Sequence, residues 1–426
     1  MKRLISIILA MCSIVLITAC GNNDKNAEFK PALDTNTNSS ITVVGSYDNF
    51  EALEAEFSKF NEIYPNVKLS YMKLDDYNNT IAMALEGDNA PNIFFSYTWM
   101  AINEKYDSVF AHAEDLSNSA LGLDLDCLRP GLISRTSDGR VLMVPVFSRT
   151  YGMLVNNDLF KKEGINVPTT WNELLTVCES FRNKDYVSPM MGYTRNSSSC
   201  LMNTVAYPLF AAALANNPEA LNLANNLDPA AGEYLRPALE KVEQLTQNNC
   251  FNLEECEKIS DNYNQVILRF FEGDVPMMVC AGDTVSGTKK REKQSEAFTN
   301  SPFDYSFWPL PLTDNGGYFI DSPSVEFSVN KDCDNLDMTN EFMRFLIRNQ
   351  ELNAMASNKR LVTPTKDMSI DPVYSPFGKV PANRTVSPEV IGIKDPLTVQ
   401  VRIAAYKVGK GEISIDEAVS MYGSFE

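Results

Sequence analysis

The chain has 426 residues, with 37 Lys and Arg against 55 Asp and Glu, and a formal net charge of −18 at neutral pH. Its 44% apolar and 22% charged residues are an ordinary globular composition, which excludes a mainly disordered, collagen-like or small disulfide-stapled chain. So negative a charge argues against nucleic acid, whose binding is driven by cations on phosphates, and against docking of the protein surface on an anionic membrane.

Lys2 and Arg3 form a short positive start, and an apolar run over 4–17 follows, broken only by Ser6, Cys12 and Ser13. The run is shorter than the about 20 residues a membrane-spanning helix needs and suits the core of a signal peptide. It ends in Leu16-Ile17-Thr18-Ala19-Cys20, which resembles the bacterial lipobox. Residues 1–19 are therefore read as a lipoprotein signal peptide, with Cys20 becoming the lipidated N-terminus; the alternative is a plain secretory signal. The expected location is outside the cell, on the outer face of the cell membrane. Residues 20–40 are rich in Asn, Asp and Ser and read as the lipidated cysteine and a flexible tether.

The body opens with strands at 41–45, 67–72 and 93–96. Between the first two, Phe50, Leu53, Phe57, Phe60 and Tyr64 recur at helical spacing, with Asp48 and Glu51 expected as a capping box. A second helix, capped by Asp75 or Asp76 and carrying Ile81 and Leu85, closes at Gly87. This β-α-β-α-β order predicts a parallel sheet, whose ligands bind beyond the carboxyl ends of the strands, at 46–48 and 96–99. Strands are expected at 141–147 and 151–156, then a helix from the Thr170–Glu173 capping box to about residue 183. A helical stretch follows over 201–271, broken at Pro208, Pro218, Pro229 and Pro237. Strands at 275–279, 304–308 and 325–329, a helix over 340–349, a helix capped by Asp395 and a last one capped by Ser414 and Glu417 complete the body.

Beyond Cys12 and Cys20 there are seven cysteines, an odd number, with no Cys-x-x-Cys and one histidine in the whole chain. Cys250 and Cys256 are near enough in sequence to pair, but buried thiols are the plainer reading, and no metal or cofactor is expected.

Several stretches, taken in order, resemble a family 1 extracellular solute-binding protein. They are ITVVGSYDNFEALEAEF (41–57), APNIFF (90–95), GMLVNNDLF (152–160) with PTTWNELL (168–175), FEGDVPMM (271–278), WPLP (308–311), and EFMRFL (341–346) with LVTPT (361–365). The resemblance runs from residue 41 to the C-terminus. It implies an α/β, two-lobed periplasmic-binding-protein-like fold of the maltose-binding type, with discontinuous lobes joined by hinge crossovers. The N-terminal lobe is expected at 41–147 plus 325–362 and the C-terminal lobe at 148–324 plus 363–426. The implied function is capture of a solute, above all a mono- or oligosaccharide, in the inter-lobe cleft for delivery to the transmembrane permease subunits of an ABC importer. The alternatives are a non-carbohydrate or anionic solute, or a surface adhesin or structural lipoprotein. An enzyme is not expected: lone His112 has no nucleophile pattern beside it, and there is no Gly-rich phosphate loop, GxSxG or HExxH.

A sugar is gripped by flat aromatic faces and planar polar groups. The candidates are Tyr47 and Asp48 after the first strand, Tyr97 and Trp99 after the third, Arg149 and Tyr151 at the first hinge crossing, Tyr193 and Arg195 before a Ser-rich loop, Asp283, and Tyr318 and Asp321 near the second crossing. Arg149 departs from the acidic residue that maltose-type binders tend to carry there. It suits either a bridge between lobes or an anionic ligand group. Asp283-Thr284 stand where the family often has a Trp, which weakens a maltodextrin assignment.

Overall fold

The computed structural model describes residues 28–195, 198–259 and 263–426. The signal peptide, Cys20 and the first part of the tether lie outside the described residues, as do the side chains of Arg195 and Cys200. The chain runs β1 (Ser39–Gly45), α1 (Glu51–Ile63), β2 (Val67–Lys73), α2 (Tyr77–Glu86), β3 (Ile93–Ser96) and the short α3 (Thr98–Ala101). Next come β4 (Val144–Arg149), β5 (Tyr151–Asn156), α4 (Trp171–Arg182), β6 (Met190–Gly192), α5 (Cys200–Ala215), α6 (Gly232–Gln247), β7 (Met277–Ala281) and β8 (Tyr305–Trp308). After β9 (Ser322–Val329) follow α7 (Leu336–Leu346), α8 (Asn349–Lys359), α9 (Pro388–Ile391), α10 (Asp395–Gly409) and α11 (Ile415–Ser420).

One sheet has the order β2-β1-β3-β9-β4, and β1 pairs in parallel with both β2 and β3, as the alternation of strands and helices predicts. Strand β9 enters antiparallel between β3 and β4, setting Phe327 opposite Phe95 and Glu326 opposite Ser96. The second sheet has the order β8-β5-β7-β6. Each sheet carries its own hydrophobic core. The first gathers buried residues from 41–147 and 325–361, the second from 153–320 and 362–425. We refer to these halves as the N-lobe and the C-lobe.

Local chemistry explains most elements. Leu53, Phe57 and Phe60 of α1 are buried at their helical spacing. Gly45 ends β1 because a Cβ there would sit 2.5 Å from the Phe95 ring. The capping boxes at Thr170–Glu173 and Ser414–Glu417 are both formed. The one expected at Asp48 is not. Phe50 is fully buried among the rings of Tyr47, Tyr71 and Phe95 and becomes the N-cap residue itself. Asp48 is thereby left outside the first turn, exposed, with Lys73 at 2.8 Å. Asp76 precedes α2 in a left-handed conformation and accepts from the Asn79 amide instead of capping. Pro208 and Pro237 lie inside α5 and α6 and break neither, while Pro218 does start a helix. The buried apolar faces of α5 and α6, including Phe210 and Leu239, offset a proline cost of about 3 kcal/mol. Helix α7 starts at Leu336, ahead of the expected 340–349. Helix α10 starts on Asp395 rather than being capped by it.

Part of the expected tether is not free. The Phe29 ring meets Phe345 edge-on at 5.4 Å, and the Arg344 guanidinium lies 4.4 Å from its centre. Glu341 accepts from the backbone N–H of Ala32 at 2.8 Å and from the Tyr64 hydroxyl, while Arg344 donates to the Lys30 carbonyl. Composition concealed this, because one aromatic ring and a buried carboxylate hold a segment that is otherwise polar. No helix among the described residues is long and apolar enough to cross a membrane, and no disulfide joins the described cysteines.

Candidate functional site

The chain crosses between the two cores at 148–152, at 320–322 and at 361–363, and one buried ion pair ties these crossings together. Arg129, from the loop before β4, grips Asp321 with Nε to Oδ2 and Nη2 to Oδ1, both at 2.7 Å. Its Nη1 donates to the carbonyls of Thr363 at 2.7 Å and Thr365 at 2.8 Å. The Ser148 hydroxyl donates to Asp321 Oδ1 at 2.6 Å, and the Ser148 N–H donates to the Val362 carbonyl. Asp321, expected to meet ligand, is 1% exposed and held in this clasp.

Beside the clasp lies a cavity of about 350 Å³ with walls from both lobes. From the N-lobe, β3 ends on Ser96 and turns into α3, presenting Tyr97, Thr98, Trp99 and Ile102. The crossings contribute Arg149, Tyr151 and 322–324, and β9 contributes Glu326. From the C-lobe, Asn203 and Tyr207 stand four residues apart on α5 and so share one face. Asp395, Thr398 and Arg402 share a face of α10 by the same rule, and Pro388 and Glu389 come from α9.

Tyr97 and Trp99 stack at 5.8 Å with 17° between their planes, and Trp99 also meets Tyr106 edge-on. Tyr151 and Tyr207 meet edge-on at 6.1 Å on the other side. Five polar atoms of the lining are buried without a protein hydrogen-bond partner: Arg149 Nε, Asn203 Oδ1, Glu326 Oε1, Glu389 Oε2 and Arg402 Nε. Each such orphan left unsatisfied costs about 1–3 kcal/mol in a folded protein, so a group of them in one cavity suits polar partners, water or a polar ligand. With the carboxyls ionised the set holds three acceptors and two donors, and a protonated carboxyl turns its oxygen into a donor; a molecule bearing several hydroxyls can satisfy either.

The carboxyls are perturbed. Burial lifts Glu326 to about 8; hydrogen bonding from Thr98 opposes this and the Glu389 charge adds to it. Burial likewise lifts Glu389 to about 7, against the pull of Arg149 and Ser322. Arg149 stays charged: burial disfavours its cation, and Tyr151, Asp283 and Glu389 outweigh it. Its Nη1 lies 3.9 Å from Asp283, which also accepts from Ser324 at 3.2 Å.

Of the residues singled out in the sequence, Tyr97, Trp99, Arg149 and Tyr151 line the cavity together. Asp283 is next to them, through Arg149. Tyr47 is close by: burial and the charges of Asp283 and Tyr97 push its phenol well up, while Lys359 sits 4.6 Å over its ring. The others stand elsewhere. Asp48 is exposed on Lys73, and Tyr193 and Tyr318 pack on the C-lobe core. The expectations missed Thr98, Asn203, Tyr207, Glu326, Glu389, Asp395 and Arg402. None of them left a signal in the sequence: α5 is apolar almost all round, and the polar residues of α10 look like those of a solvated face.

The chain matches a family model described as bacterial extracellular solute-binding protein over residues 52–382. It is 20% identical over 373 residues, 85% of this chain and 82% of the relative, to the melibiose/raffinose/stachyose-binding protein MelE of Bacillus subtilis. The structure is similar to apo RafE from Streptococcus pneumoniae, with TM-score 0.70 and 17% identity over 93% of this chain and 98% of that one. It is also similar to the sugar-binding protein MalE from Xanthomonas citri, with TM-score 0.67 and 17% identity over 90% and 95% of the two chains. These likenesses agree with the two-lobed α/β fold, and the match over most of the described body places this chain in the family of bacterial extracellular solute-binding proteins.

Proposed function

We propose that the protein is the carbohydrate-capturing subunit of an ABC importer, held on the outer face of the cell membrane by lipid on Cys20. The observation that carries the reading is the convergence of five unpartnered buried polar atoms with four aromatic rings in one inter-lobe cavity. Sugar hydroxyls both donate and accept, and sugar C–H faces lie flat on aromatic rings. The names of MelE and of the sugar-binding MalE support the same solute class. Arg149 is offset by Asp283, which favours a neutral saccharide over an anionic one. The lobes, 41–147 plus 325–362 and 148–324 plus 363–426, close on the solute about the Arg129–Asp321 clasp, and the closed form is the one presented to the permease. The anchor reading rests on Lys2, Arg3, the apolar 4–17 run and the Leu16–Cys20 motif.

A thermal-shift screen of the chain from residue 21 against neutral, amino and acidic mono- and oligosaccharides tests this. A neutral saccharide at 100 times its Kd is expected to add about 2.7 kcal/mol of stability. A shift with acidic sugars alone would move the reading to an anionic solute, and no shift with any sugar would remove the carbohydrate reading.

A further inference from the structure

Glu326 stands out among the cavity residues. It lies on β9, flanked by Ser96 on β3 and Pro145 on β4, neither of them charged. It is 1% exposed. Its Oε2 accepts from the Thr98 hydroxyl at 2.9 Å, and its Oε1 has no protein partner. The charged groups sharing its cavity are Glu389 from α9, Asp395 and Arg402 from α10, and Arg149 at the end of β4. None of these cations pairs with Glu326 among the described residues, and the charge that acts on it is the like-charged Glu389. A buried carboxyl in that setting is costly as an anion, because desolvation and like charge both oppose ionisation. As a neutral acid it can keep accepting from Thr98 on one oxygen and donate a proton from the other.

We infer that Glu326 is a specificity-determining residue that meets the ligand as a neutral carboxylic acid, donating from Oε1 to an uncharged hydroxyl or ring oxygen. This deepens the carbohydrate reading and rests on it for the nature of the ligand. The site then selects a neutral saccharide over one bearing an ammonium at that position, since the ammonium would need the ionised form. Burial has already raised the free carboxyl to about 8, and a donated bond to the ligand raises it further in the complex. The donor form is fully present well below the free value; Glu389, which burial raises to about 7, titrates there and its contribution persists in Glu326→Gln. Affinity falls as pH rises through the free Glu326 value, by up to about tenfold per pH unit. Tyr97, whose phenol burial pushes above its ordinary value, does not titrate in that range.

Two measurements on the chain from residue 21 decide the matter. The first uses no ligand. The carbon-13 carboxyl resonance that disappears in Glu326→Gln is expected to titrate near pH 8, and a midpoint below 6 overturns the inference even if no sugar binds. The second is calorimetry from pH 6.5 to 9.5 with the neutral saccharide giving the largest thermal shift. The Kd of the unsubstituted protein is expected to rise above pH 8, and that slope to be absent in Glu326→Gln, whose amide still donates, whatever its absolute affinity. Thr98→Val, which removes a bond favouring the ionised form, shifts the rise to higher pH and serves if the Gln variant does not fold. A flat Kd in the unsubstituted protein, or tighter binding as pH rises through 8, overturns the proton-donor role. Absence of binding by any sugar overturns the carbohydrate reading and leaves the titration to judge Glu326.

Discussion

Replacing Asp321 by alanine is expected to destabilise the protein by about 3–5 kcal/mol, the scale of breaking a buried ion pair from one side. The Asp321 carboxylate takes two donors from Arg129, each at 2.7 Å, and a third from Ser148. Without it the Arg129 guanidinium, whose side chain is 12% exposed, keeps its charge and loses its counter-ion. The damage falls where the chain crosses between lobes, because Arg129 also holds the carbonyls of Thr363 and Thr365. Urea unfolding of Asp321→Ala beside Asp138→Ala measures this. The Asp138–Arg140 pair is half exposed on both sides, so its loss is expected to cost less than about 1 kcal/mol. Equal midpoints for the two variants would show that the clasp does not hold the crossings.

The second large effect is on binding. Trp99→Ala is expected to weaken the best saccharide by about 1–3 kcal/mol, the range for a buried aromatic contact. That corresponds to roughly a 5- to 150-fold rise in Kd. Trp99 lines the cavity and is stacked on Tyr97, so its ring presents a supported flat surface at the N-lobe wall. It also touches Tyr106, so thermal stability must be followed in parallel. Trp99→Phe keeps a flat ring and is expected to recover most of the affinity. An unchanged Kd in Trp99→Ala would take the N-lobe platform out of the site.

The N-lobe sheet was legible because its apolar periods change cleanly between strand and helix, and Tyr97 and Trp99 followed from their place after β3. Arg149 and Tyr151 were legible because they mark the first crossing. Asp48 misled because a capping pattern is local, whereas the burial of Phe50 is decided by rings from Tyr71, Phe95 and Phe327 far along the chain. Asp321 misled for a like reason: its partner Arg129 is 192 residues away, in a loop with no pattern of its own. Glu326 sits between the packed residues Val325 and Phe327, and nothing in the alternation tells a buried acid in a cavity from a solvated one. Asn203 and Tyr207 were hidden in an almost wholly apolar helix, and the polar residues of α10 facing a cavity look like ones facing water.

In the proposed function, one solute touches both lobes in the Arg149-lined cavity. Hydrogen–deuterium exchange with and without the saccharide that gives the largest thermal shift tests it most directly. Protection is expected together in the segment around Tyr97–Trp99 and in the segments around Glu389 and Arg402, which lie on opposite lobes. Protection confined to one lobe, or to a surface away from these segments, would contradict it.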